Sequence, residues 1–323
     1  MGLLVYVVDI VLASNNAAAS QQFKAYLHDY FSIKDLGPSK YFLGIEIAYG
    51  SDGMYLCQHK YALKIIEECG LLGAKPADFP IEENHKLALA TGRELHDATR
   101  YRRLVGRLIY LTITRPELTH AVYVLSQFMQ SPREENMDAA RRVMRYLKGT
   151  AGDGLFLHAK NNLQVYGYCD SNWGACPLSH RSLTGYFVTL GGSPISWRTK
   201  KQATVSRFSA EVEYRAMAVA TSDLIWIRTF LAALGIFHLQ PVKVFCDRQA
   251  ALHIAKNLVF HERTKHIEID CHFVREKFVS GLLTFGHISS QHQPADILTK
   301  ALGEQQFEYL KGKLGMINLY APT

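Results

Sequence analysis

The sequence predicts a two-part chain: an α+β first half, then an α/β second half whose mixed five-stranded sheet is flanked by helices. Three observations lead there. Apolar residues recur at helical spacing between residues 100 and 148. After Gly149-Thr-Ala-Gly-Asp-Gly154 the period drops to two, at 163–170, 184–190 and 194–199. Beyond residue 200, helix-like and strand-like runs alternate, which completes the order β-β-β-α-β-α-α-β-α of a sheet covered by helices.

The elements follow in order. Residues 3–13 read as one buried strand; no basic region precedes it and Asp9 follows soon after, unlike a signal peptide. A strand this close to residue 1 is expected of a chain that begins inside a domain. Asn15-Asn16 is a turn signal, and Phe23, Tyr26, Leu27 and Phe31 mark an amphipathic helix over 18–31. Two strands, 41–47 and 54–57, flank the hairpin signal Gly50-Ser-Asp-Gly53. Ala62, Ile65, Ile66 and Cys69 share one helical face, and residues 74–98 read as a polar connector. Leu104, Leu108 and Leu111 share a face, as do Val122, Leu125 and Met129, and then Ala140, Val143, Met144 and Leu147. Arg115-Pro116 and Ser131-Pro132 start the later helices. The glycine-rich stretch 149–154 is the candidate linker, so the divide is expected between 1–154 and 155–323. A long helix over 209–234 ends at Gly235; then come strand 242–247, helices 249–256 and 265–280, strand 282–288 and helix 294–302.

Hydrophobic content of 48% and charged content of 20% are those of an ordinary globular chain. A net charge of +7 suits a polyanionic partner. The six cysteines form no C-x-x-C pair, which argues for reduced thiols rather than a disulfide framework or a zinc ribbon. No apolar run reaches about 20 residues, and no targeting segment stands out, so an intracellular chain without a membrane partner is expected. No small-molecule cofactor is expected, and no G-x-S-x-G elbow is present.

Acidic residues carry most of the functional signal. Asp170 and Asp247 end apolar strands, Glu211 and Glu213 open the long helix, and Asp296 opens the last one. Converging carboxylates repel one another unless a cation lies between them. Two Mg²⁺ ions about 3.5–4 Å apart, held by shared carboxylates, would neutralise and activate a phosphodiester cleavage site.

The runs Cys169-Asp-Ser-Asn-Trp173, Ile195–Gln202, Thr204–Arg215, Cys246–Ala251, Phe260–His266 and Ala295-Asp-Ile-Leu-Thr-Lys300 resemble the ribonuclease H domain of Ty1/copia-type retrotransposon Pol polyproteins. The first half is similar to the same polyprotein's reverse transcriptase from the palm hairpin onward. There Phe42-Leu-Gly-Ile-Glu-Ile47 is similar to a primer-grip hairpin, and 100–148 resemble the thumb and connection. The resemblance implies a ribonuclease H-like fold behind a truncated palm and thumb. It implies Mg²⁺-dependent cleavage of RNA in an RNA–DNA hybrid, with Mn²⁺ as a substitute. Asp170, Asp247 and Asp296 match the first, third and fourth carboxylates. Glu213, with Ala216 and Ala220 three and seven residues on, is the preferred second, and Glu211 is its alternative. The two cannot share a role, because helix positions two apart point about 200° apart. Arg198, Lys200, Lys201 and Arg248 are candidate nucleic-acid contacts.

The departures set further expectations. The polymerase motif Tyr-Val-Asp-Asp reads Tyr6-Val7-Val8-Asp9, and valine cannot ligate Mg²⁺, so DNA synthesis is expected to be lost. Phe208 stands in place of a usual serine, Val212 of alanine, Arg248 of asparagine and Leu183 of serine, so reduced nuclease activity is expected. The alternative is a non-catalytic product of a decayed retroelement that at most binds nucleic acid. His261, His266 and His272 lack zinc-ligand spacing. His287 or His292 is a loose match to a product-release histidine. The basic helix faces at Arg100, Arg102, Arg103, Arg107, Arg141, Arg142, Arg145 and Lys148 fit either solvated surface or a phosphate track. Trp173, Trp197 and Trp226 read as core.

Overall fold

The computed structural model describes residues 1–256 and 267–319. It opens on a two-stranded hairpin, β1 (Gly2–Tyr6) and β2 (Asp9–Ala13), where one strand was expected. The chain reverses at Val7-Val8, and Val7 adopts a positive φ of 51°. A β-branched residue rarely adopts that conformation, so the sequence carries no turn signal there. Leu3, Leu4, Val5 and Tyr6 are exposed rather than buried, because this sheet has only two strands. Helix α1 (Ala17–Phe31) follows, capped by the Asn16 side chain on the Ala19 N–H.

A second sheet holds β3 (Tyr41–Phe42), β4 (Ile45–Tyr49), β5 (Gly53–Cys57), β6 (Asp153–His158) and β12 (Met316–Asn318). Its first hairpin turns at Leu43-Gly44, and the Tyr110 hydroxyl donates to the Leu43 carbonyl. Strand β6 begins at the expected linker and pairs with β5 on one edge and β12 on the other. The divide expected after residue 154 thus falls inside a strand, and the end of the chain returns to the first half.

Helices α2 (His59–Glu68), α3 (Ala98–Leu111), α4 (Thr119–Ser126) and α5 (Glu134–Gly149) build the first core with α9 (Glu304–Lys313). Most of the basic residues of this region are engaged within the chain. Arg107 and Arg103 pair with Glu68, and Arg142 pairs with Glu82. Arg145 and Lys148 bond the carbonyls of Lys75 and Ala74, so they clamp the connector rather than form an open phosphate track.

The third sheet is the one the period-two runs predict. It holds β7 (Val165–Asn172), β8 (Leu183–Leu190), β9 (Ser193–Lys201), β10 (Val242–Cys246) and β11 (Leu283–His287), in the order β11-β10-β7-β8-β9. Strands β7 to β9 are antiparallel, while β10 runs parallel to both β7 and β11. This is the mixed five-stranded sheet expected of the second half. Helices α6 (Ser209–Ala233), α7 (Gln249–Lys256) and α8 (Glu268–Val279) cover one face and form the second core. Phe187, Tyr168 and Trp197 on the other face pack against the first core. Helix α6 is long and apolar enough to cross a membrane, but it lies along β7, where Gly167 has no side chain to meet Leu224.

Two tryptophans depart from expectation. Trp173 lies just past β7, exposed, and its indole N–H donates to the Ser206 carbonyl at 3.1 Å. Trp226 is on the outer face of α6, exposed and stacked on Phe230. Residues 294–302 form a short 3₁₀ turn, Pro294–Leu298, instead of a helix. The sequence 260–266, with His261 and His266, lies outside the described residues.

Phe208 occupies the N-cap of α6 and makes no side-chain cap bond. Serine there would accept from a backbone N–H of the first turn. Phe208→Ser is expected to stabilise the protein by about 1 kcal/mol in a denaturant melt. An unchanged or lower midpoint would contradict that reading of the cap.

Candidate metal centre

Between β7 and β10 the strand order reverses, and these two strands are parallel neighbours. Side chains at their carboxyl ends face a common crevice, as at the switch points of other α/β sheets. Asp170 stands on β7, two residues before its end, and Asp247 directly follows β10. Asp296 arrives on the 3₁₀ turn. Gly185, opposite Asp170 on β8, makes that approach feasible, since a Cβ there would lie 2.5 Å from Thr299 and 3.0 Å from Leu298. The Gln293 amide donates to the Cys169 carbonyl at 3.0 Å, and Asn172 donates to the Thr299 carbonyl at 3.2 Å. These bonds fasten the 293–300 segment to β7.

Among the described residues, two groups of potential ligand atoms result. Asp170, Asp247 and Asp296 offer oxygens within 4.8 Å of one another, and so do Glu213, Cys246 and Asp247 in their ligand atoms. Asp247 belongs to both. Glu211 is buried in the first turn of α6 and belongs to neither. Glu213 is 2% exposed, and its buried Oε2 atom has no hydrogen-bond partner among the described residues. Asp247 Oδ1 is in the same condition, while Ser290 donates to Oδ2 at 2.6 Å.

Residues that the four-carboxylate pattern did not single out surround the cluster. The Thr299 hydroxyl donates to Asp170. Lys300 Nζ lies 3.0 Å from Asp296 Oδ1 and 3.3 Å from Asp170 Oδ1. Its spacing of four from Asp296 was the available signal. Arg248 Nε lies 3.8 Å from Glu213 Oε1, so its charge does fall beside a cluster carboxylate. His287 Nε2 lies 3.2 Å from the Asp247 carbonyl, whereas His292 is held by Tyr309 at 2.6 Å.

Burial dominates the electrostatics. It raises the Asp170 carboxyl, although Lys300 and Thr299 pull it back. Burial, then the Asp170 charge, pushes Asp296 up to about 8. Burial with the neighbouring Asp170, Cys246 and Asp247 pushes Glu213 up to about 10. Burial opposes the charge on Lys300, but Asp170 and Asp296 outweigh it and raise its pKa. Shifts of this size favour the protonated forms of Glu213 and Asp296 at neutral pH, and a bound cation would act in the opposite direction. Oxygen donors with unpartnered atoms fit a hard divalent ion such as Mg²⁺.

An unfolded chain ionises these acids near 4, whereas the fold delays Asp296 to about 8 and Glu213 to about 10. Metal-free stability contributed by the two groups is present below about pH 4 and is lost as pH rises through that window. A divalent ion held by these carboxylates would replace the protons, so Mg²⁺ is expected to raise the Tm more at pH 8 than at pH 5.5. Equal shifts at the two pH values would contradict this.

The basic candidates separate in space. Arg198 and Lys200 project from one face of β9 and are exposed. Lys201 projects from the other face and meets Gln127 Oε1 at 3.2 Å. Arg248 lies on the far side of β7 and β8 from all three.

The reverse transcriptase (RNA-dependent DNA polymerase) family profile matches residues 2–83. The retrovirus-related Pol polyprotein from transposon RE1 of Arabidopsis thaliana is 41% identical over 314 residues, which are 97% of this chain and 21% of that polyprotein. The putative transposon Ty5-1 protein YCL074W of Saccharomyces cerevisiae is 33% identical over 215 residues, 66% of this chain and 70% of its own length. The chain belongs to the Pol polyprotein family of copia-type retrotransposons. It spans about a fifth of the RE1 polyprotein that it matches. The copia-type Pol chain is also remotely similar to a solved ribonuclease H1 isolated from compost, at 18% identity over 42% of this chain and 93% of that one, with a TM-score of 0.33. In this Pol chain the backbone turns between Tyr6 and Asp9, and Val8 at the tip is 87% exposed. Of the two central turn residues and their partners, only Asp9 brings a carboxylate.

Proposed function

We propose that this Pol fragment is a Mg²⁺-dependent nuclease acting on the RNA strand of an RNA–DNA hybrid, and that its polymerase function is lost. The observation that carries the reading is the convergence of Asp170, Glu213, Asp247 and Asp296 on one sheet crevice with buried oxygens left unpartnered. Asp170, Asp247 and Asp296 would hold one ion, and Glu213 with Asp247 a second; Mn²⁺ would serve in place of Mg²⁺. When bound, the ions supply charge neutralisation at the phosphate and an activated water. Ser290 fixes one oxygen of Asp247, and Thr299 fixes one of Asp170, so both carboxylates keep their orientation. Lys300 places a positive charge between Asp170 and Asp296 and lowers their mutual repulsion. Arg198 and Lys200, exposed on the β9 edge, would take backbone phosphates of the hybrid.

One second reading has its own observation. Arg248 against Glu213 and Lys300 between two aspartates place positive charge where cations would go. That arrangement favours a chain that binds nucleic acid without cutting it. Hybrid cleavage assays separate the two. Cleavage that requires Mg²⁺ and disappears in Asp247→Asn supports the nuclease; binding without cleavage supports the second reading. The same preparation should not extend a primer with Mg²⁺ or Mn²⁺, because Val8 replaces a metal-binding aspartate. Measurable extension would overturn the loss of polymerase function.

A further inference from the structure

We propose that Cys246, Glu213 and Asp247 form a thiophilic metal site that takes Zn²⁺ or Cd²⁺ in competition with Mg²⁺. Their ligand atoms, one sulfur and two oxygens, lie within 4.8 Å of one another. Cys246 is fully buried at the end of β10, and its sulfur accepts the Arg248 N–H at 3.4 Å. The neighbouring thiol, Cys169 on the parallel strand β7, faces the Phe245 carbonyl at 3.6 Å.

Two buried oxygens of the group add a second observation. Glu213 Oε2 and Asp247 Oδ1 are buried and have no hydrogen-bond partner among the described residues. The other oxygens are already engaged, Glu213 Oε1 by Arg248 at 3.8 Å and Asp247 Oδ2 by Ser290. A mixed sulfur and carboxylate set suits Zn²⁺ and Cd²⁺ better than Mg²⁺, which demands hard oxygen donors. On binding, the Cys246 thiol releases its proton to solvent and the sulfur donates a lone pair to the ion. Asp247 also belongs to the all-oxygen group, so an ion held by Cys246 withdraws a ligand from that group. The site needs no hydrolytic activity in the chain, and it makes the centre sensitive to traces of soft divalent ions.

The test is Cd²⁺ titration of the full chain in thiol-free buffer, followed by thiolate-to-metal charge-transfer absorbance in the ultraviolet. The band should be present in the wild type, in Cys169→Ser and in Cys69→Ser, and absent in Cys246→Ser. A band that survives in Cys246→Ser, or is lost in Cys169→Ser, overturns the assignment. Glu213→Gln keeps the sulfur, so the band should persist with an affinity weaker by about tenfold or more; an unchanged affinity overturns the role of Glu213. A last arm needs no variant and so survives any folding defect. Excess Mg²⁺ should raise the apparent Kd for Cd²⁺ on the wild-type chain, and no effect of Mg²⁺ would contradict the shared Asp247.

Discussion

Glu213→Gln is expected to lower Mg²⁺-dependent hybrid cleavage by on the order of 10³-fold, because a lost metal carboxylate removes several kcal/mol of charge stabilisation. The substitution keeps the shape of the side chain and removes only its charge. Glu211→Gln should stay within about tenfold of the wild type, since Glu211 points elsewhere on the same helix turn. The structure supplies the contrast. Glu213 joins Cys246 and Asp247 within ligand distance of one another, while Glu211 belongs to neither group of potential ligands. Steady-state cleavage of a labelled hybrid at saturating Mg²⁺ measures both. If Glu211→Gln proves the more damaging, the second carboxylate has been assigned to the wrong residue.

Arg115→Leu should cost about 3–5 kcal/mol of folding stability, the usual result of stripping one partner from a buried ion pair. Arg115 Nε lies 2.6 Å from Glu117 Oε1, and both side chains are almost entirely buried. The other guanidinium nitrogens donate to the Thr150 carbonyl and hydroxyl at 2.8 and 2.7 Å. Burial raises the Glu117 carboxyl even with Arg115 beside it. The pair joins the turn before α4 to the end of α5, close to where Lys311 of α9 meets Asp153 at 2.8 Å. Loss of Arg115 therefore loosens the seam that closes the end of the chain onto the first core. The double variant Arg115→Leu/Glu117→Leu should recover much of the loss, because an apolar pair leaves no charge uncompensated. Chemical denaturation of the wild type, the single variant and the double variant checks both statements. A double variant no more stable than the single one would show that the Thr150 bonds, not the buried charge, set the cost.

Strong periodicity made the second half readable. Strands β7 to β9 and helix α6 fall within two residues of their expected bounds, because their buried faces repeat cleanly. The order of the carboxylates was readable for the same reason, since each follows a recognisable strand or opens a helix-like run. Local geometry without a sequence signature was not readable. Val7 turns a hairpin with a conformation that valine rarely adopts, so residues 3–13 read as one strand. Strand β12 pairs with β6 across about half the chain, and no local pattern announces such a pairing. Gly185 reads as an ordinary strand glycine until the Thr299 methyl is seen against it. Lys300 and Cys246 stand in the runs Ala295–Lys300 and Cys246–Ala251, but their approach to the carboxylates depends on the crevice at the β7/β10 switch point.

The most direct measurement of the central claim is hybrid cleavage as a function of Mg²⁺ concentration, on the wild type and Asp170→Asn side by side. Asp170 is the buried member that Thr299 and Lys300 both hold, and it lies opposite Gly185, where the Asp296 turn meets the sheet. The reading predicts a saturable Mg²⁺ dependence in the wild type and no cleavage above background in Asp170→Asn at any Mg²⁺ concentration. Cleavage that persists in Asp170→Asn, or that needs no divalent ion in the wild type, would contradict it.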